Sequence, residues 1–186
     1  MENAVGSGTD AGKAIAADGL GNSYVTGEFR ESITFGDTTL TSAGLRDFYI
    51  AKFNNHGDFL WVKQFGGTES DGGFAITVDD SGHCIATGFF RTTVTFGDTI
   101  LSSDGGADIF IVKFDEDGNI LWTRRAGGPN TDTGYGITTD AQGNCVVTGD
   151  FTDSTTFDDT TLKSAGDFDM FIAKYDVDGN FLWAKQ

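Results

Sequence analysis

With 186 residues, 27 glycines, a single proline and aromatics at 13%, the chain has enough material for one well-cored domain joined by tight turns, not by a proline-rich linker. A net charge of −16 and a pI near 4.1 argue against nucleic acid or an anionic membrane as partner, since both demand a basic surface. No apolar run is long enough to insert in a bilayer, and the opening MENAVGSGTD has neither the basic nor the apolar region of a signal peptide.

Read in order, the chain is one unit written three times. AKFNNHGDFLWVK, VKFDEDGNILWTR and AKYDVDGNFLWAK place Trp61, Trp122 and Trp183 at a constant spacing of 61 residues. The units run 1–64, 65–125 and 126–186, one continuous array without linkers. In each, strand A (KAIAAD, FAITVD, YGITTD) is followed by a turn at Gly21, Gly82 or Gly143 and by strand B (SYVTGEF, CIATGFF, CVVTGDF). Strand C (FYIAKF, IFIVKF, MFIAKY) is apolar on both faces apart from Lys52, Lys113 or Lys174, so both faces should be covered. An Asp-Gly type hairpin turn then leads to strand D (FLWVKQ, ILWTRR, FLWAKQ). No stretch has a sustained helical period.

Four antiparallel strands, repeated and covered on both faces, describe an all-β fold, a β-propeller of four-stranded blades with three blades per chain. Such a blade needs about 40–45 residues. The surplus lies between strands B and C and contains T-F-[GD]-D-T, a small extra hairpin turning at Gly36-Asp37 or Gly97-Asp98.

Several residues suggest chemistry. Asp10, Asp71 and Asp132 sit in the D-to-A connections, where a ring of carboxylates near the channel either holds a cation such as calcium or accepts backbone N–H groups. The D-x-D-G-N segments lack the distal glutamate and the helix of a calcium loop, which leaves turn chemistry. Lys52, Lys113 and Lys174 are expected to pair with Asp47, Asp108 and Asp169 or to extend to the rim. His56 and His83 stand alone in turns, and no serine has a nucleophile elbow or a neighbouring histidine, so no catalytic residue is assigned. Cys84 and Cys145 occupy equivalent points of neighbouring repeats and read as buried free thiols. The ribbons differ at Arg30, Arg46, Arg91 and Lys163, on the rim shared with the D-to-A loops, where a carbohydrate or protein ligand would be recognised.

The composite pattern G-I-x-V-D-x-x-G-N-x-Y-V-T-G-x-F, then F-G, S-A-G and D-x-F-I-A-K-F-D-x-D-G-x-L-W-x-K-Q-F-G-G, resembles the seven-bladed β-propeller-type (SBBP) repeat of bacterial surface and secreted proteins. It is more distantly similar to the NHL repeat. The resemblance implies extracellular or cell-surface display and a binding or scaffolding role, and it brings no catalytic motif and no cofactor. Asp158 departs from the F-G pair, and Asn54 and His56 replace turn aspartates.

Two function classes follow. One is a non-enzymatic binding or display scaffold, or a self-assembling, excerpted or engineered propeller fragment. The other is a hydrolase or lyase acting on polysaccharide through paired carboxylates, or a carbohydrate-binding propeller. Propellers close with about four to eight blades, so three call for a partner. Two bare blade faces per chain, each about 350 Å² in plan, make a head-to-tail homodimer with a six-bladed ring the expected assembly.

Overall fold

The computed structural model describes residues 5–186; residues 1–4, at the start of the first blade (1–64), lie outside the described part. Its strands are β1 (Val5–Gly6), β2 (Ala11–Ala17), β3 (Ser23–Phe29), β4 (Ser32–Phe35), β5 (Thr38–Thr41), β6 (Asp47–Phe53) and β7 (Phe59–Phe65) in the first repeat. The second contributes β8 (Gly72–Val78), β9 (Cys84–Phe96), β10 (Thr99–Phe114) and β11 (Ile120–Ala126). The third has β12 (Asp132–Thr139), β13 (Cys145–Phe157), β14 (Thr160–Tyr175) and β15 (Phe181–Lys185). Each repeat folds as one antiparallel meander: β2-β3-β6-β7, β8-β9-β10-β11 and β12-β13-β14-β15. The described residues contain no helix. The fold is all-β, a propeller-like row of four-stranded blades.

The composition of strand C explains the layering. In β6, six consecutive residues from Asp47 to Lys52 are buried, so both faces of this strand are covered. Phe48 stacks on Phe110 with ring centroids 4.3 Å apart, joining blade one to blade two. Ile109 and Ile111 enter a second core with Val147, Phe151 and Phe171 of blade three. Between strands A and B a bulge recurs at the same point of each blade, between Gly12 and Ala14, Gly73 and Ala75, and Gly134 and Gly136.

The surplus residues build the expected ribbon, in two forms. In blade one it is a separate hairpin, β4-β5, with β1 along its edge. In blades two and three it is an outward continuation of strands B and C across a bulge, which is why β9 and β10 span 13 and 16 residues. The hinge is a non-glycine residue in the left-handed region: Glu31 (φ 59°), Thr92 (φ 57°) and Asp153 (φ 60°). For a β-branched threonine this conformation costs about 1–2 kcal/mol, sustained by the pairing on both sides. At the ribbon tip the same region is taken by Gly36 and Gly97, but by Asp158 in blade three.

The ribbons also revise the picture of bare blade faces. Each folds back over its own blade: Phe96 lies 5.0 Å from Phe65 and 5.7 Å from Phe110, wedged between blades one and two. In blade one Phe35 covers Tyr49 at 5.2 Å with no second blade of the described residues against that face, and Phe29 and Ala51 are fully buried. The incoming face is therefore partly covered by its own ribbon, and its exposed apolar side chains are few, chiefly Ile15 and Val5.

Candidate functional site

The repeated residues converge at the junctions between blades. Trp61 Nε1 donates to the Glu116 carbonyl at 3.0 Å, and Trp122 Nε1 to the Val177 carbonyl at 3.0 Å. Lys52 Nζ donates to that same Glu116 carbonyl at 2.9 Å, and Lys113 Nζ to Val177 at 3.4 Å. The receiving turns hold Gly118 and Gly179, at which a side chain would collide with the rings of Trp61 and Trp122. Nearer the axis, Thr26 and Thr87 are fully buried, and their hydroxyls occupy the space where Gly73 and Gly134 of the next blade lack a Cβ. Thr26, Thr87 and Thr148 and Gly12, Gly73 and Gly134 recur with the 61-residue period. Sequence reasoning passed over them because identity at that spacing, without reactive chemistry, was their only signal.

The lysines do not pair with Asp47, Asp108 and Asp169. Lys113 meets Asp79 at 2.9 Å and Lys174 meets Asp140 at 2.7 Å, both at the end of strand A. The reason is strand geometry. Asp47 and Lys52 are five residues apart on one strand, about 16 Å, and an odd separation places them on opposite faces. Asp47 instead accepts from Ala43 N (3.1 Å) and Gln64 Nε2 (2.6 Å), and Asp108 from Asp104 N (3.2 Å) and Arg125 Nε (2.5 Å). Asp169 accepts from Ala165 N at 2.6 Å.

The D-x-D-G-N segments are turns held from within. Asp115 Oδ1 accepts the backbone N–H of Asp117 (3.0 Å) and Asn119 (2.8 Å), and Asp176 repeats the pattern with Asp178 (3.0 Å) and Asn180 (2.8 Å). Asn54 does the same in blade one, which explains why an amide serves there as well as an acid. The strand A turns are built alike on Asp18, Asp79 and Asp140.

Asp71 and Asp132 are fully buried at the D-to-A connections and do not line an open channel. Asp71 accepts from Gly67 N at 2.7 Å and Arg91 N at 2.9 Å, and Asp132 from Gly128 N at 2.8 Å. Asp10 occupies the same place in blade one, partly exposed. Burial first, then the adjacent Asp47, pushes Asp71 up to about 6; burial and Asp108 push Asp132 up to about 7. Among the described residues no three acidic, histidine or cysteine side chains gather as a cation cage.

These shifts set a pH dependence. An acid whose folded pKa is raised disfavours the fold above that pKa and ceases to do so as pH falls towards its unfolded value near 4. Opposed to it are the lowered carboxylates, Asp140 held down by Lys174 and Asn144, and Asp176 by Asn180, whose contribution disappears only below that value. Urea unfolding should therefore show stability rising by at least about 3 kcal/mol from pH 8 to pH 5, then falling below pH 4. Asp71→Asn should flatten the rise; a wild-type midpoint that declines from pH 8 to 5 would contradict the assignment.

The rim residues do not converge. Arg46 is tied to Glu28 at 2.8 Å, Arg91 lies over Phe89 at 5.9 Å, and Arg30 and Lys163 are exposed on different ribbons. Ribbon bases and D-to-A loops do share one rim, since Arg46 bridges to Ser70 and Gly44 and Gly105 abut the backbone of Thr68 and Pro129. Cys84 and Cys145 are free and buried, and burial pushes both thiols up to about 12.

An uncharacterized WD repeat-containing protein of Acanthamoeba polyphaga mimivirus is 30% identical over 155 residues, covering 67% of this chain and 11% of that protein. This chain thus spans about a tenth of that relative's length. A crystal structure of a Bacteroides caccae protein of unknown function aligns with a TM-score of 0.37 and 10% identity, over 95% of this chain and 81% of that one. Residues 121–150, from strand D of blade two to strand B of blade three, match the family model of the SBBP beta-propeller repeat. The SBBP beta-propeller repeat is thus matched over 30 residues of this chain, in the segment that joins blades two and three.

Proposed function

We propose that this chain is a non-catalytic propeller scaffold whose work is done by its surfaces: the end faces of its outer blades, through which it self-assembles, and the rim ribbons, which display a variable binding face. One observation carries the reading: the aspartates and lysines that recur in every repeat are taken up by turns and blade junctions. The carboxylates closest to an acid–base pair, Asp47 with Asp71 and Asp108 with Asp132, are at most 1% exposed, so no glycosidic bond reaches them. An enzyme needs at least one accessible, asymmetric cluster. By the resemblance of its repeats, the scaffold would work outside the cell or at its surface.

The test is a panel of polysaccharides and glycosides assayed for released reducing ends. No turnover is expected, whereas turnover abolished by one aspartate substitution would establish the hydrolase reading instead.

A further inference from the structure

Resting on that scaffold reading, we propose that the partner of the end faces is a second copy of this chain, blade three of one docking head to tail on blade one of the other, twice, to close six blades. The internal junctions supply the template. The tryptophan, lysine, threonine–glycine and rim contacts that join blade one to blade two and blade two to blade three each have a donor half left over on blade three and a receiver half left over on blade one.

Trp183, the equivalent of Trp61 and Trp122, is 37% exposed. The carbonyl that would receive its Nε1 hydrogen, one period before Glu116, belongs to Asn55, and the turn beside it holds Gly57 with nothing within 4 Å of where a Cβ would stand. In the internal junctions that position is filled by tryptophan. Lys52 and Lys113 are at most 5% exposed, but Lys174, lacking a next turn, is only half-buried. Thr148 is exposed where Thr26 and Thr87 are sealed, and Gly12 is open where Gly73 and Gly134 are filled by those hydroxyls. Met170 is 59% exposed where Phe48 and Ile109 are buried, and Ile15 is 69% exposed where Ile76 is buried.

The rim tells the same story. Gly44 and Gly105 press against the next D-to-A loop, but Gly166 meets nothing. Instead an open groove of about 760 Å³ runs past Asn130, Asp153 and Phe168. It lies where Ser7 and Gly8 of a second copy would sit if the internal pattern continued. The unmatched halves are thus complementary to each other. Four faces of about 350 Å² in plan set an upper bound on the order of 1,400 Å² for the two contacts, reduced by the part of blade one's face that its own ribbon already covers. Identical head-to-tail contacts close when the rotation permits and otherwise grow without limit, so the closed ring has a distinct signature.

Size exclusion with light scattering from 5 to 100 µM should report about twice 19.8 kDa. Gly12→Leu is the discriminating variant. Within one chain a Cβ there has its nearest neighbour at 3.7 Å, and the residue is not in the left-handed region, so the fold should tolerate it. In the assembled junction the side chain would occupy the place of Thr148, and the variant should run as a monomer with unchanged circular dichroism. Trp183→Ala, at an exposed site, should weaken association at least tenfold by sedimentation equilibrium. A wild-type monomer throughout the range, a trimer, an open-ended ladder, or Gly12→Leu dimerising as tightly as wild type would each overturn the self-partner claim. Those outcomes remove self-assembly from the proposed function and leave its non-catalytic, rim-display part standing, because that part fails separately, on enzymatic turnover.

Discussion

Gly88→Ala should destabilise the protein by at least about 3 kcal/mol, measured by urea unfolding, although it adds a single methyl group. The obstacle is backbone. A Cβ at Gly88 would lie inside the van der Waals radius of the Gly72 carbonyl oxygen, and Gly27 and Gly149 face the Ala11 and Thr133 carbonyls in the same way. Each carbonyl sits beside the strand A bulge, which presses that strand's backbone onto its neighbour at one point. A flexible side chain would yield, but this carbonyl belongs to a paired strand and moves only if the bulge is lost. Gly19→Ala is the control, since nothing lies within 4 Å of the added atom. A cost below about 1 kcal/mol at Gly88 would show that the bulge relaxes freely.

Lys113→Met should cost about 3–5 kcal/mol, the price of stranding a buried charge. Lys113 is 1% exposed and holds Asp79, itself 8% exposed, at 2.9 Å while reaching the Val177 carbonyl of blade three. Burial alone would raise Asp79, but Lys113, the His83 amide and the Lys113 charge together hold it below the usual carboxylate range. Without the lysine, the carboxylate must take up a proton or lose its place in the turn. Lys174→Met, whose partner Asp140 is more exposed and whose ammonium meets no further turn among the described residues, should cost much less. Asp79→Asn combined with Lys113→Met should recover part of the loss. Equal costs at the two lysines would mean that the junction contributes nothing to the pair.

The parts of this structure that were legible in the sequence are those set by local chemistry and by period. Trp61, Trp122 and Trp183 announced the repeat, the doubly apolar strand C announced a covered sheet, and Asp-Gly announced the hairpins. The lysine partners were misjudged because Asp47 is near Lys52 along the chain, whereas the alternation of side chains sends them to opposite faces. The ribbon was expected from the surplus residues, but its continuity with strands B and C in blades two and three was not, because the hinge residues 31, 92 and 153 are Glu, Thr and Asp and none is the glycine that normally marks a left-handed backbone. The cation reading of Asp10, Asp71 and Asp132 rested on position in a loop, and sequence does not show whether a loop carboxylate turns outward or is used by its own amides. The junction threonines and glycines lacked any signal but recurrence.

Because each blade touches only its immediate neighbours, this chain behaves energetically as a short one-dimensional lattice: three unit terms and two coupling terms. Deleting or duplicating one 61-residue unit removes or adds one of each and disturbs no other contact. In the chain taken singly, loss of structure on heating starts at an outer blade held by one coupling, whereas a closed ring couples every blade on both sides and removes that weak point.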